Sequence, residues 1–218
     1  MRILVACEFS GIVRDAFTAK GHDAISCDLL PTESAGPHIQ GDVTEHLQSP
    51  WDMVVAHPPC TYLSYAGTAH WNKPGRAEKR EEAMRFFVAC LYANAPKVYV
   101  ENPFGLPCQL VRKPDQVINP FDFGEPIRKR TCLWLRGLPI LFRADDLFAM
   151  SGPSPVATPE PVYVGVQQAT GKPKNRYTQD IRPHRWHHIE SISPGMDRAK
   201  ERSRTFKSIA RAMAEQWG

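Results

Sequence analysis

Three absences narrow the field before any motif is read. The six cysteines of this 218-residue chain, Cys7, Cys27, Cys60, Cys90, Cys108 and Cys132, include no C-x-x-C pair. That spacing argues against a zinc ribbon and a disulfide framework, and reduced thiols in a cytoplasmic protein are the expectation. No apolar run is long enough for a membrane span or a secretory signal, so no membrane partner is expected, and MRILVACEFSG at the N-terminus reads as a first buried strand. The fingerprint G-x-G-x-x-G is also missing. The loop after that strand, Ala6-Cys7-Glu8-Phe9-Ser10-Gly11, has a single glycine, which disfavours a dinucleotide and fits a nucleoside cofactor without a pyrophosphate. Internal repeats and low-complexity tracts are absent too.

What is present is an ordinary core composition, 42% apolar, with 27 Lys and Arg against 23 Asp and Glu. This fits one globular domain with a small appendage. The charge is unevenly placed. Residues 1–170 hold 16 cations against 18 anions, and residues 171–211 hold 11 against 4, interleaved with Tyr177, Trp186, His184, His187 and His188. Cations mixed with aromatics suit phosphate contact and base stacking. No cysteine or carboxylate lies at ligand spacing from the histidines, so no metal is expected.

Along the chain, apolar strands alternate with helical patterns. RILVAC, DAISCDLLP, DMVVAHPP and KVYVENP read as strands, with helices over GIVRDAFTAKGH and residues 76–95 between them. In the second helix Met84, Phe87, Val88 and Leu91 are expected to face inward. The alternation predicts an α/β fold with a mostly parallel central sheet and helices on both faces. KRTCLWLRGLP adds a strand. The stretch from 144 to 175 is proline-rich with little periodicity, with a small hairpin around VYVGVQQ, and a last helix turns Ile209, Met213 and Trp217 inward. The expected organisation is a core over 1–143, a basic, loop-rich insertion over 144–202, and a helix over 203–218 that packs back on the core.

Four polar features fall at the C-terminal ends of predicted strands: Asp28, the Gly41-Asp42-Val43 turn, the Pro58-Pro59-Cys60 loop and Glu101-Asn102-Pro103. In open α/β sheets that rim is where ligands bind, and an acid ending the second strand is placed to accept hydrogen bonds from ribose hydroxyls. The prolines stiffen the loop that carries Cys60.

The order of these motifs resembles the DNA cytosine-5 methyltransferase family, and in particular its short members in phages and prophages. Asp52 to Ser64 resembles the Pro-Cys catalytic motif, and Glu101-Asn102-Pro103, with FGLP after it, resembles the Glu-Asn-Val motif. FGEPIRKRTCLWL is similar to the segment that carries the paired arginines, here Arg128 and Arg130. The resemblance implies a Rossmann-like S-adenosylmethionine-dependent methyltransferase fold. It implies S-adenosylmethionine bound by Ala6, Glu8, Phe9, Ser10, Gly11, Asp28, Asp42, Val43 and Pro58. Catalysis falls to Cys60 and Glu101 with Arg128 and Arg130, and the partner is DNA, single- or double-stranded.

The implied chemistry is physically coherent. Carbon 5 of cytosine becomes an enamine carbon when a thiolate adds at carbon 6, which is the part given to Cys60. His57, Arg128 and Arg130 are candidate cations for lowering its pKa. Glu101, protonated or sharing a proton with ring nitrogen 3, would stabilise the adduct. A duplex substrate requires base flipping. The family pattern is departed from at His57, where glycine is common, at Thr61, at Ile127 and at Ser203-Arg204-Thr205, and the recognition region is reduced to a fragment. The rival readings are the same chemistry on RNA or a free pyrimidine nucleotide, an amino-methyltransferase, whose Asn/Asp-Pro-Pro-aromatic loop needs no cysteine, and a binding protein without turnover.

Overall fold

The structure is a computed structural model that describes residues 1–125, 127–142 and 203–218, together with the backbone of short strands at 161–166, 173–177 and 187–188. The side chains of Ile127 and Arg128 lie outside the described part.

The sheet is built from strands buried on both sides. In β1 (Arg2–Ala6), Ile3 and Val5 enter one apolar cluster and Leu4 and Ala6 the other. Met53 and Val55 alternate in the same way with Val54 and Ala56 in β4 (Met53–Ala56), and Tyr99 with Val98 and Val100 in β5 (Lys97–Asn102). Strands covered on both faces must be apolar without interruption, which is why these runs are visible in the sequence. With β2 (Asp23–Asp28), β3 (His38–Gln40), β6 (Gln116–Ile118) and β8 (Thr131–Arg136) they form a seven-stranded sheet in the order β3-β2-β1-β4-β5-β8-β6. Strands β3 to β5 pair in parallel, and β8 runs antiparallel to both of its neighbours. This is the expected α/β arrangement, a mostly parallel central sheet with helices on both faces.

Helices α1 (Ile12–Thr18) and α4 (Lys207–Trp217) cover one face. Ile209, Met213 and Trp217 point inward from α4 as the spacing predicts, and Trp217 packs 5.6 Å from Tyr99. The other face is covered by α2 (Arg76–Leu91), where Phe87 meets Trp134 edge-on at 4.9 Å. This helix is shorter than the predicted 76–95, and it buries Phe87, Cys90 and Leu91 while Met84 and Val88 stay half-buried. A one-turn helix, α3 (Pro107–Leu110), follows β5.

Beyond the core, β7 (Ile127–Arg128) pairs in parallel with β11 (His187–His188), and β9 (Pro161–Val166) pairs antiparallel with β10 (Pro173–Tyr177). The rest of the 144–202 stretch, with Trp186 and His184, lies outside the described residues, as do the side chains of Tyr177, His187 and His188. Among the described residues, no helix is long and apolar enough to cross a membrane.

Candidate active site

Backbone bonds assemble the site from two loops at the same sheet edge. The amide of His57 donates to Ala6 O at 3.0 Å, so β4 continues one residue beyond its ladder before the prolines end it. Cys60 follows, exposed, and its carbonyl accepts from the amides of Leu63 and Ser64 at 3.0 and 2.9 Å, which closes a tight turn behind the thiol. From β5 the side chain of Asn102, 1% exposed, donates through Nδ2 to Pro58 O at 2.8 Å. The loops are joined again further on. Tyr65 N donates to Phe104 O at 3.2 Å, Leu106 N donates to Leu63 O at 2.9 Å, and Ser64 and Gly105 form an antiparallel bridge. A Cβ at Gly105 would run into the Leu63 carbonyl, so the glycine is required by this approach. The two sequence motifs, 41 residues apart, are thus one rigid unit.

Glu101 lies on the face of β5 that carries Tyr99, and its side chain is 16% exposed. His57 Nδ1 lies 3.4 Å from Glu101 Oε2. Burial works to raise the pKa of this carboxyl, but the Lys129 ammonium, the His57 ring and a hydrogen bond from Thr131 outweigh it and hold the group below its ordinary value. Glu101 is therefore anionic in the free protein at neutral pH. The cation acting on it is Lys129, between the two arginines the sequence singled out. Arg130 stacks over Phe104 at 4.2 Å, in the loop tied to Cys60, and the backbone of Arg128 lies in β7. His57, a candidate partner for Cys60, turns instead toward Glu101 and packs edge-on to Tyr99 at 5.7 Å.

The other cysteines divide from Cys60 by burial. Desolvation pushes the thiol of Cys27 up to about 11 and those of Cys90 and Cys132 up to about 12, and it raises Cys7 as well. Such thiols stay protonated at neutral pH and are poor nucleophiles. Cys7 is half-buried and adopts φ 58°, the left-handed conformation that a glycine more often supplies.

At the neighbouring edge, Asp28 ends β2 and accepts the amide of Leu30 at 2.9 Å, while Gly41 N donates to its carbonyl at 2.9 Å. Asp42 is exposed. Its Oδ1 accepts Thr44 N at 2.9 Å, and these bonds from Thr44 lower its pKa, so it too is anionic. Val43 and Pro58 are buried, as is Ala6 at the end of β1. Gly11 has φ 75°, and a Cβ there would strike Ser34 and Arg14. Arg14 is fully buried and donates to Ser26, Thr32, Ser34, Ala35 and Pro37, which fixes the loop after β2.

Glu8 departs from the predicted arrangement. Its carboxylate is buried, accepts from Ser10 Oγ and from the amides of Val13 and Arg14, and so caps the first turn of α1. The side chain serves the helix and is not presented to a ligand. Phe9 is buried, and Arg204, just before α4, lies over its ring at 5.6 Å while bonding both carboxylate oxygens of Glu33. The donor set can be tested against S-adenosylmethionine. The rim offers the carboxylates Asp28 and Asp42 for hydroxyls and positive charge, and the helix terminus that would receive a pyrophosphate is taken by the chain's own carboxylate. These residues fit a nucleoside sulfonium.

A second wall beside Cys60 was not singled out in the sequence. Arg76 lies 4.6 Å and Lys79 5.8 Å from the Tyr62 ring, Arg80 lies 5.3 Å from the Trp71 ring, and Tyr65 packs 6.0 Å from Trp71. Aromatics interleaved with cations over residues 62–80 were the available signal.

No protein-family model and no curated protein matches the chain. Among solved structures it is similar to the Entamoeba histolytica methyltransferase EhMeth, with 16% identity, a TM-score of 0.42, and coverage of 63% of this chain and 53% of that one. The chain thus spans about half the length of the protein it matches.

Proposed function

We propose that this protein is an S-adenosylmethionine-dependent methyltransferase that acts at carbon 5 of cytosine in DNA. The observation that carries this reading is the joining of the Cys60 loop to the Glu101 strand through Asn102, Gly105 and the Leu63–Tyr65 segment. An exposed thiol in a stiff loop and a half-desolvated carboxylate on the adjoining strand are what covalent addition to a pyrimidine needs.

S-adenosylmethionine, when bound, supplies an electrophilic methyl group to carbon 5. Asp28 and Asp42 hold its nucleoside part. The Cys60 thiolate forms a bond to carbon 6 of the base, and the electron pair of the 5,6 double bond moves through the ring toward nitrogen 3, where Glu101 delivers a proton. After methylation, loss of the carbon 5 proton to solvent and of the thiolate from carbon 6 restores the ring, and nitrogen 3 returns its proton to Glu101. The aromatic and basic wall from Tyr62 to Arg80 suits a strand with an unstacked base, as does the basic 171–211 stretch.

The test uses purified protein, S-adenosylmethionine and DNA containing 5-fluorocytosine, which cannot lose its carbon 5 substituent. Intact mass should show a methylated covalent complex, absent with Cys60→Ala. Cofactor binding without an adduct on single- or double-stranded DNA would overturn the DNA reading in favour of RNA or a free nucleotide.

A further inference from the structure

We propose that His57 is a positioning and proton-holding partner of Glu101, the two side chains sharing the proton that ring nitrogen 3 receives. This rests on the reading of Glu101 given above. His57 is in register with Glu101, because the β4–β5 pairing places Ala56 opposite Val100 and the chain continues by one residue on each strand. Both side chains project on the α4 side of the sheet, with Tyr99 beneath them.

The imidazole is 5% exposed, with Nδ1 3.4 Å from Glu101 Oε2, and its Nε2 is buried with no hydrogen-bond partner among the described residues. An aliphatic side chain could fill this space without leaving a polar nitrogen unpaired, an expense of about 1–3 kcal/mol. A residue retained for packing alone would not carry it. Contacts of 3.4 Å are long for a finished hydrogen bond, but catalytic pairs often tighten when substrate docks.

Glu101 is anionic in the free protein, so the proton for nitrogen 3 has to arrive from a neighbour. The groups around the pair are Tyr99 from β5, Lys129 on the approach to β8 and Thr131 at its start, with Cys132 on the opposite face of β8. Burial and the adjacent Glu101 charge push the Tyr99 phenol up, so it keeps its proton, and burial does the same for the Cys132 thiol. Histidine is the side-chain type suited to giving and regaining a proton near neutrality, and His57 is the one within reach of Glu101. As the thiolate–carbon 6 bond forms, the proton on His57 Nδ1 moves to the Glu101 carboxylate and from there to nitrogen 3, so that Glu101 ends as the anion it began as. Expulsion of the thiolate reverses both transfers, so the cycle consumes no proton from His57.

Two measurements test this. In the free protein, the ring nitrogens of His57 are observed by nuclear magnetic resonance at fixed pH. With Glu101→Gln the Nδ1 resonance should move while Nε2 changes less, and an unchanged Nδ1 resonance would overturn the shared proton. In the second, adduct formation on 5-fluorocytosine DNA is timed for wild type and His57→Gln, with melting temperature and cofactor affinity as folding controls. The ratio of the two rates cancels the ionisation of Cys60. At pH 8 His57→Gln should be slower by about tenfold or more, with the gap closing as acid protonates Glu101 directly. A ratio independent of pH would overturn the proposal. A wild type that forms no adduct at any pH would remove the proposed function while the resonance experiment still decides whether the pair shares a proton.

Discussion

At Glu101 the Lys129 charge, the His57 ring and the Thr131 hydroxyl outweigh the cost of taking a carboxylate out of water. The direction of the result has a consequence for stability. A group whose folded pKa lies below its unfolded value stabilises the fold above the unfolded value, about 4.3 for glutamate, and loses that contribution as pH falls through the folded one. Wild type should therefore melt above Glu101→Gln at pH 7, with the two curves converging below about pH 4. Calorimetry across that range checks it, and a gap that persists in acid would mean that Lys129, His57 and Thr131 do not favour the ionised form. The sequence named Glu101 from its place after an apolar strand, but it did not single out Lys129, the cation that acts on it. Which of Arg128, Lys129 and Arg130 faces the carboxylate depends on the bend into β8, and three adjacent cations carry no signal of their orientation. His57 was legible as a departure from pattern. Its partner was not, because that depends on the register of two strands 44 residues apart.

Elements, more than side chains, hold the reactive loops in place. Gly105 lets the chain after β5 lie against the turn after Cys60, and adding a methyl group there pushes on a backbone carbonyl that cannot swing away. Gly105→Ala should slow adduct formation by about tenfold or more through misplacement of the thiol. Cofactor affinity, measured by titration calorimetry, should stay within twofold of wild type (about 0.4 kcal/mol), because Asp28 ends β2 and Asp42 lies in the turn after β3, away from Gly105. Equal losses of both would show that the strap supports the whole rim. The strands β1, β2, β4, β5 and β8 were legible because each is an apolar run ended by a charge, a proline or a glycine. Strand β6, Gln116–Ile118, was missed: three residues at the far edge of the sheet, paired on one side with β8, have too little periodicity to stand out. That β8 would run antiparallel was also hidden, since direction is a property of the connection, and the loop from Pro103 to Asn119 looked patternless.

For the whole molecule, α4 brings the end of the chain back beside its start. Trp217 fills the space between Tyr99 and the α1 face, its indole N–H donates to Pro139 O at 3.1 Å, and Gln216 exchanges two hydrogen bonds with the backbone of Phe142. Truncating such a buried indole costs about 3–5 kcal/mol, so Trp217→Ala should lower the unfolding free energy measured by denaturant titration by that amount. A shift under about 1 kcal/mol would mean that α4 is an appendage and not part of the core. The return of this helix was legible from its spaced Ile209, Met213 and Trp217, while the contact of Arg204 with Glu33 and Phe9 was not, because it joins residues 171 positions apart.

The buried carboxylate of Glu8 has one more implication. Any cell holds adenine and nicotinamide nucleotides at concentrations that would flood an open sheet edge of this type. In this chain the Glu8 carboxylate already occupies the first amides of α1, so an anion competing for them would have to displace a tethered side chain of its own sign. On the function proposed above, the phosphate-bearing relatives of a nucleoside meet that side chain as a like charge.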